Sequence, residues 1–284
     1  MSGRLAEIEG RIAGIGQLGT VVNAMRGIAA ARAQQARNQV AAIDAHAGMI
    51  AGALGRALSL LPEVPHDGGV ARGRKAMVLF CAEQGFAGAF NERVLDRATQ
   101  GLADTDLFLI GTRGIMLARE RGLDPRWTLE MPGHTPAIPK LAELIVTMLE
   151  EPIAAGEITR LDAVYAHWRP GGGTDTVHRA LLPFDYGAFS LTALREPPLV
   201  HLEPHALLSE LAADYIHAQL CNAALHAFAA ENEARMEAMA GAHSQIEDQM
   251  TELSALRRRI RQEEITAEII ELSSGEMAAD DAAR

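Results

Sequence analysis

Proline is missing from both ends of this chain: all twelve prolines lie between Pro62 and Pro204. Aromatic residues are scarce, and ten of the twelve fall in that same window, with only Tyr215 and Phe228 outside it. Proline removes a backbone donor and clashes with the preceding turn, so two proline-free ends predict long helices flanking one compact centre. No run of eighteen apolar residues occurs, which argues against a membrane-spanning helix. The opening MSGRLAEIEGR is charged and has no apolar signal core, so export is not expected. The only two cysteines, Cys81 and Cys221, sit far apart inside apolar or helical patterns. Two free thiols in a reducing compartment are therefore expected.

Acidic residues are absent between Gly10 and Ile43, where Arg11, Arg26, Arg32 and Arg37 lie. Residues 1–57 carry six Arg against three acids, or +3, while residues 205–284 carry six Arg against fifteen acids, or −9. The net charge of −11 argues against a nucleic-acid binder. A basic segment and an acidic one at opposite ends suit pairing with each other or with separate partners.

Three segments follow: an N-terminal coiled-coil helix over 1–60, a central α/β domain over 61–204 and a C-terminal coiled-coil helix over 205–284. Leu5, Ile8, Ile12 and Ile15 step by 3, 4 and 3 toward Val22, the period of a coiled-coil seam. The seam then turns to alanine at 29, 30, 31, 33 and 36, which suits close helix approach. Glycines at 10, 14, 16, 19 and 27 oppose the helix by roughly 1 kcal/mol each. A partner helix exploiting small side chains would offset that cost, so continuity of the helix stays open at this point. The C-terminal segment has only Gly241 and Gly275, with Pro204 suited to a first turn. Its stripe is Ile246, Met250, Leu253, Leu256 and Ile260, continued by Ile265, Ile269 and Leu272.

At 1.5 Å rise per residue, helices of 55 and 70 residues span about 80 and 105 Å. A compact globule of this chain length is only about 50 Å across. An elongated molecule with antiparallel terminal helices is the expectation. In the centre, AMVLFCA (76–82) reads as a strand buried on both faces. Helices are expected at 91–100, 114–121 and 137–151, and further strands at 107–110, 161–168 and 176–182. This alternation implies a Rossmann-like, mostly parallel sheet, with the glycines of 171–173 turning the last strand antiparallel.

EQGFAGAFN (83–91), after the first strand, is the best lead for an enzyme. A phosphate-binding loop needs Lys and a hydroxyl after its last glycine, yet Gly88 is followed by Ala89, Phe90 and Asn91. A dinucleotide fingerprint needs a third glycine. The loop reads as a strand-to-helix turn. His201 with His205, and His217 with Cys221, have metal-ligand spacing but no third ligand nearby. No HExxH, GxSxG or CxxC occurs, so no catalytic, cofactor or metal residues are assigned. Arg257, Arg258, Arg259 and Arg261 form a solvated face with pairs such as Arg259–Glu263, or a docking surface.

The two ends resemble the gamma subunit of the F-type ATP synthase. RIAGIGQLGTVVNAMRGIAAARAQQA keeps Arg11, Ile12, Ala24, Met25, Ala29 and Ala30 in that family's register. ENEARMEAMAGA (231–242) and RIRQEEITAEIIELSSGEMA (259–278) keep Arg235, Met236, Met239, Arg261, Gln262, Ile265, Thr266, Glu268 and Gly275. EQGFAGAFN stands where the family has DRGLCGGLN. The resemblance covers essentially the whole chain and is weakest over 112–200.

It implies a shaft of two terminal helices inside a ring of alpha and beta subunits, coupling ion flow to ATP synthesis or hydrolysis by rotation. The central domain would sit near epsilon and the membrane ring of c subunits. The chain would be a non-catalytic, peripheral subunit at the cytoplasmic face of a bacterial inner membrane, without a cofactor or nucleic acid. By the same resemblance, Arg261, Gln262, Thr266 and Glu268 would contact a beta-subunit loop and transmit torque. Met25, Arg26 and Arg235 would lie where the shaft faces the ring, and Arg32 and Arg37 would meet an acidic loop of beta. QLGT replaces the usual NTQK, EQG replaces DRG, and Arg258-Arg259 replaces the usual Asn-Lys or Asn-Arg. These departures imply a divergent branch, an alternative or sodium-driven enzyme among the options, since ion choice belongs to the membrane ring. Two other readings are a nucleotide-using α/β enzyme with dimerising helices, and an unrelated coiled-coil scaffold.

Overall fold

The computed structural model describes residues 2–61, 73–99, 102, 104–169, 171, 173–184 and 200–282. The element order is α1 (Ser2–Leu58), β1 (Arg74–Phe80), α2 (Phe90–Thr99), β2 (Thr105–Ile110), α3 (Thr112–Glu120), β3 (Trp127–Leu129), a 3-10 turn (Thr135–Ala137), α4 (Ile138–Ala154), β4 (Ile158–Arg169), β5 (Gly173–Leu182) and α5 (Pro204–Ala282). Two compact units result, Met1–Ile28 with Met236–Arg284, and Ala29–Arg235, so the division runs through both long helices.

Helix α1 is unbroken through its glycines. The residues it buries explain why. Ile8, Val22, Ala29 and Ala36 are spaced by sevens or fourteen, as are Ala33, Val40, Ala47 and Leu54, and all are buried. Two such series make the a and d positions of a heptad seam, and seam packing supplies what the glycines withdraw. The expectation that a partner helix exploits those glycines is met at one of them. A Cβ on Gly19 would stand 3.2 Å from Ile246, while Gly10, Gly14, Gly16 and Gly27 face open space.

That Gly19–Ile246 approach also sets the register within the first unit. Seventeen residues back from Gly19 is Ser2, where α1 begins, and seventeen on from Ile246 is Glu263. Of the expected stripe, Leu253 and Ile260 are buried, Ile246 and Met250 are half-buried, and Leu256 is 36% exposed. Its continuation is more exposed: Ile265 is 50% exposed and Ile269 58%, because α5 has by then passed the start of α1.

In the second unit the strand order is β3-β2-β1-β4-β5, parallel except for the last pair, as the alternation and the glycine turn predict. Ala76 to Phe80 of β1 are all 0% exposed. Alternate residues serve opposite faces. Ala76, Val78 and Phe80 pack with α4 and α5, and Met77, Leu79 and Cys81 with α2 and α3. β3 escapes the sequence pattern, since three residues are too few to show a period. Its Trp127 stacks on Phe108 with centroids 4.1 Å apart. Residues 29–58 of α1 and 204–235 of α5 pair antiparallel in this unit. Arg37 bridges Glu233, Asp44 binds Asn222, and Leu54 and Leu58 cluster with Leu208.

Candidate functional site

The loop after β1 is where an α/β enzyme would hold its cofactor, so its side chains decide between chemistry and architecture. Glu83 turns inward. Its Oε2 accepts from the Thr112 and Met131 amides at 3.0 and 2.9 Å, and its Oε1 accepts from Thr112 Oγ1 at 2.6 Å. A carboxylate thus occupies the positive N-terminal end of α3, the place an anion would seek there. Gly111 precedes this helix with φ of 101°, and a Cβ on Gly114 would stand 2.1 Å from Cys81 Cβ. Both glycines serve the close approach of α3 to the end of β1. At the head of α2, Asn91 Oδ1 accepts from the Ala82 amide at 2.8 Å and closes the turn.

The hollow beside the loop measures about 280 Å³ and is lined by Glu92 and Glu120 as well as Arg113. Two carboxylates facing one guanidinium oppose a phosphate. Of the His and Cys pairs, His217 lies 3.8 Å from Cys221 Sγ and its Nε2 is 3.3 Å from the Pro139 carbonyl. Among the described residues no three His, Cys, Asp or Glu side chains gather in metal-binding geometry.

What the loop does hold is α5. Arg235 is 4% exposed and donates from Nε to the Gly85 carbonyl at 3.0 Å and from Nη2 to the Gln84 carbonyl at 2.9 Å. Its Nη1 donates to Asn232 Oδ1 at 3.1 Å, and it pairs with Glu231 one turn away. Glu231, itself 3% exposed, also accepts from the Gln84 amide at 3.4 Å. Burial pushes the Glu231 carboxyl up, and the Arg235 charge opposes that rise. From the other helix, Arg32 Nη1 donates to Gln84 Oε1 at 3.2 Å. One short loop is thereby tied to both long helices.

The residues assigned to the subunit interface sit in different surroundings. Arg235, expected to face a ring of partners, spends its guanidinium inside the chain. Arg37, expected to meet an acidic loop, pairs with Glu233 and lies 5.3 Å above the Trp168 ring. Met25 and Arg26 are half-buried, and Arg26 Nη2 donates to Asn23 Oδ1 at 2.8 Å. Arg261, Gln262, Thr266 and Glu268 are all exposed on α5, with the Thr266 hydroxyl donating back to the Gln262 carbonyl at 2.8 Å. The Arg259–Glu263 pair is not formed, and among the described residues none of Arg257, Arg258, Arg259 and Arg261 has an ion-pair partner. On α1, Leu18, Val21 and Ile28 are each more than half exposed and flank Met25 at spacings of 3, 4 and 3. Sequence reasoning missed Glu231 as a buried partner, though Glu231 and Arg235 stand at i and i+4 on one helix.

Comparison with known proteins identifies the family. The ATP synthase family model matches residues 4–279. The ATP synthase gamma chain of Beutenbergia cavernae is 30% identical over 97% of this chain and 98% of its own. That of Streptomyces avermitilis is 28% identical over 99% and 98%. Among solved structures, the rotor of the Euglena gracilis mitochondrial ATP synthase superposes with a TM-score of 0.70 at 14% identity, covering 93% of this chain and 100% of that one. A second rotational state of that enzyme, containing F1 and the c ring, gives 0.70 at 13% identity over 100% and 97%. The chain belongs to the ATP synthase gamma-chain family, the central rotor shafts of F-type ATP synthases.

Proposed function

We propose that this chain turns inside a ring of alpha and beta subunits, with epsilon and the c ring at its foot, on the cytoplasmic face of a bacterial membrane. The nucleotide chemistry belongs to the beta subunits, and the chain transmits torque. The observation that carries this reading is the end of α5: past Glu263 it has outrun α1, yet it presents Ile265 and Ile269 beside exposed Gln262 and Arg261, which has no ion-pair partner among the described residues. Apolar side chains left uncovered on a helix mark a contact surface for another chain. Leu18, Val21 and Ile28 on α1 suit the same ring. Thr266, Glu268, Met25 and Arg26 complete the contact set, and Arg32, Arg37 and Arg235 serve it from inside by holding the helices to the loop and to each other.

The test is to mix the purified chain with alpha and beta subunits and assay ATP hydrolysis. A complex that hydrolyses ATP is expected, and failure of a folded chain to assemble sinks the proposal. Arg261→Ala with Gln262→Ala should weaken assembly or the coupling of hydrolysis to ion pumping. Unchanged pumping would remove those two residues from the contact.

A further inference from the structure

Three buried polar atoms without a hydrogen-bond partner lie in adjoining rings of the second unit: Tyr165 Oη, His167 Nδ1 and His226 Nδ1. Tyr165 and His167 are alternate residues of β4 and so share one face of the strand. His226 comes from the buried stretch of α5 and is 1% exposed. The two imidazoles stack with centroids 4.0 Å apart and planes at 20°. The Tyr165 ring stands 6.2 Å from His167 and 6.4 Å from His226.

The charges around this stack are unevenly placed. From α1, Asp44 lies 3.4 Å from His226 Nε2 and accepts from Asn222 Nδ2 at 2.5 Å. Asp44 is half exposed, which weakens its hold on a proton at the stack. From β5, Arg179 lies 5.9 Å from the Tyr165 ring and donates to Gln219 at 2.6 Å. At the end of β4, Arg169 pairs with Asp175 at 3.1 Å. Arg37 and Glu233 pair with each other beside Trp168.

We propose that the stacked His167 and His226 form a proton-operated lock between β4 and α5, closed when both rings are neutral and opened when they are protonated. Two imidazolium rings 4.0 Å apart repel each other, and Arg179 adds a third positive charge against the single carboxylate of Asp44. Burial, then the neighbouring ring and Arg179, hold His167 down at about 4. Burial holds His226 below the usual histidine range as well, against the pull of Asp44 and of the Trp168 backbone. Folded values below the unfolded one mean that the stabilisation is complete above about pH 6.5 and is lost as pH falls toward 4. In a shaft, the joint that opens is the one between α5 and the sheet, so its stiffness becomes a function of pH.

Hydrogen exchange on the full chain tests this, with rates corrected for the intrinsic pH dependence of exchange. Between about pH 7.5 and pH 5, protection of residues 165–169 and 222–230 should fall on the order of tenfold, while α2 stays protected. His167→Phe keeps a ring in the stack without a titrating group and should abolish most of that fall. No loss in the unchanged chain, or an equal loss in His167→Phe, overturns the lock. Should that variant fail to fold, the imidazole resonances of the unchanged chain decide. Midpoints well below about 6.5 that accompany opening support the lock, and a midpoint near 6.5 with protection intact overturns it.

Discussion

Residues 218–232 of α5 are buried without a break, whereas from residue 263 to 269 of the same helix none is buried. The two stretches have the same backbone and different surroundings. The first is mostly apolar, and its polar members are all engaged: Gln219 by Arg179, Asn222 by Asp44, His226 against His167, Glu231 by Gln84, and Asn232 by Arg235 of the same helix. It completes its interior alone. The second carries Ile265 and Ile269 among glutamates and ends its pairing where α1 begins. An apolar stripe read from sequence says which face is to be covered, and the length of the partner says whether this chain does the covering.

The comparison breaks most visibly at Arg235. Arg235→Ala leaves the Glu231 carboxylate buried and unpaired, so stability in urea should fall by about 3–5 kcal/mol. Replacing both residues by Leu and Met should cost much less, because no charge is then stranded. Leu225→Ala, within the same buried stretch, should cost about 2–5 kcal/mol by emptying packed volume. Acidification from about pH 6.5 to 4 should destabilise the chain by on the order of 1 kcal/mol, read as a lower thermal midpoint, less so in His167→Phe. Ile269→Ser should change the stability of the free chain by less than about 0.5 kcal/mol, yet weaken assembly with alpha and beta subunits. A large loss in the free chain would erase the distinction between the two stretches.

Much of the fold is legible in residues whose pattern is local. The heptad series through Ile8 and Val22 and the unbroken apolar run of β1 name their elements before any coordinates do. β3 is not legible, because Trp127 to Leu129 is held by pairing with β2 and by the stack on Phe108 rather than by a period of its own. The site divides the same way. Arg261 and Gln262 lie exposed on α5. Arg235 and Arg37 stand in the family register too, but register does not say which way a guanidinium turns. Their partners, Gln84 and Gly85 for one and Glu233 and Trp168 for the other, are brought near only by tertiary structure. Glu83 likewise reads as a variant of a family landmark, and its role as the anion at the head of α3 depends on Thr112 and Met131, distant in sequence.

The central claim is that ring subunits cover the end of α5 that this chain leaves bare. Ile269→Cys tests it by thiol labelling, because the native thiols stay silent: burial pushes Cys81 up to about 12 and Cys221 to about 11. The introduced thiol should label quickly in the free chain and at least about tenfold more slowly after assembly with alpha and beta subunits. Equal rates in the free and assembled states would contradict the account.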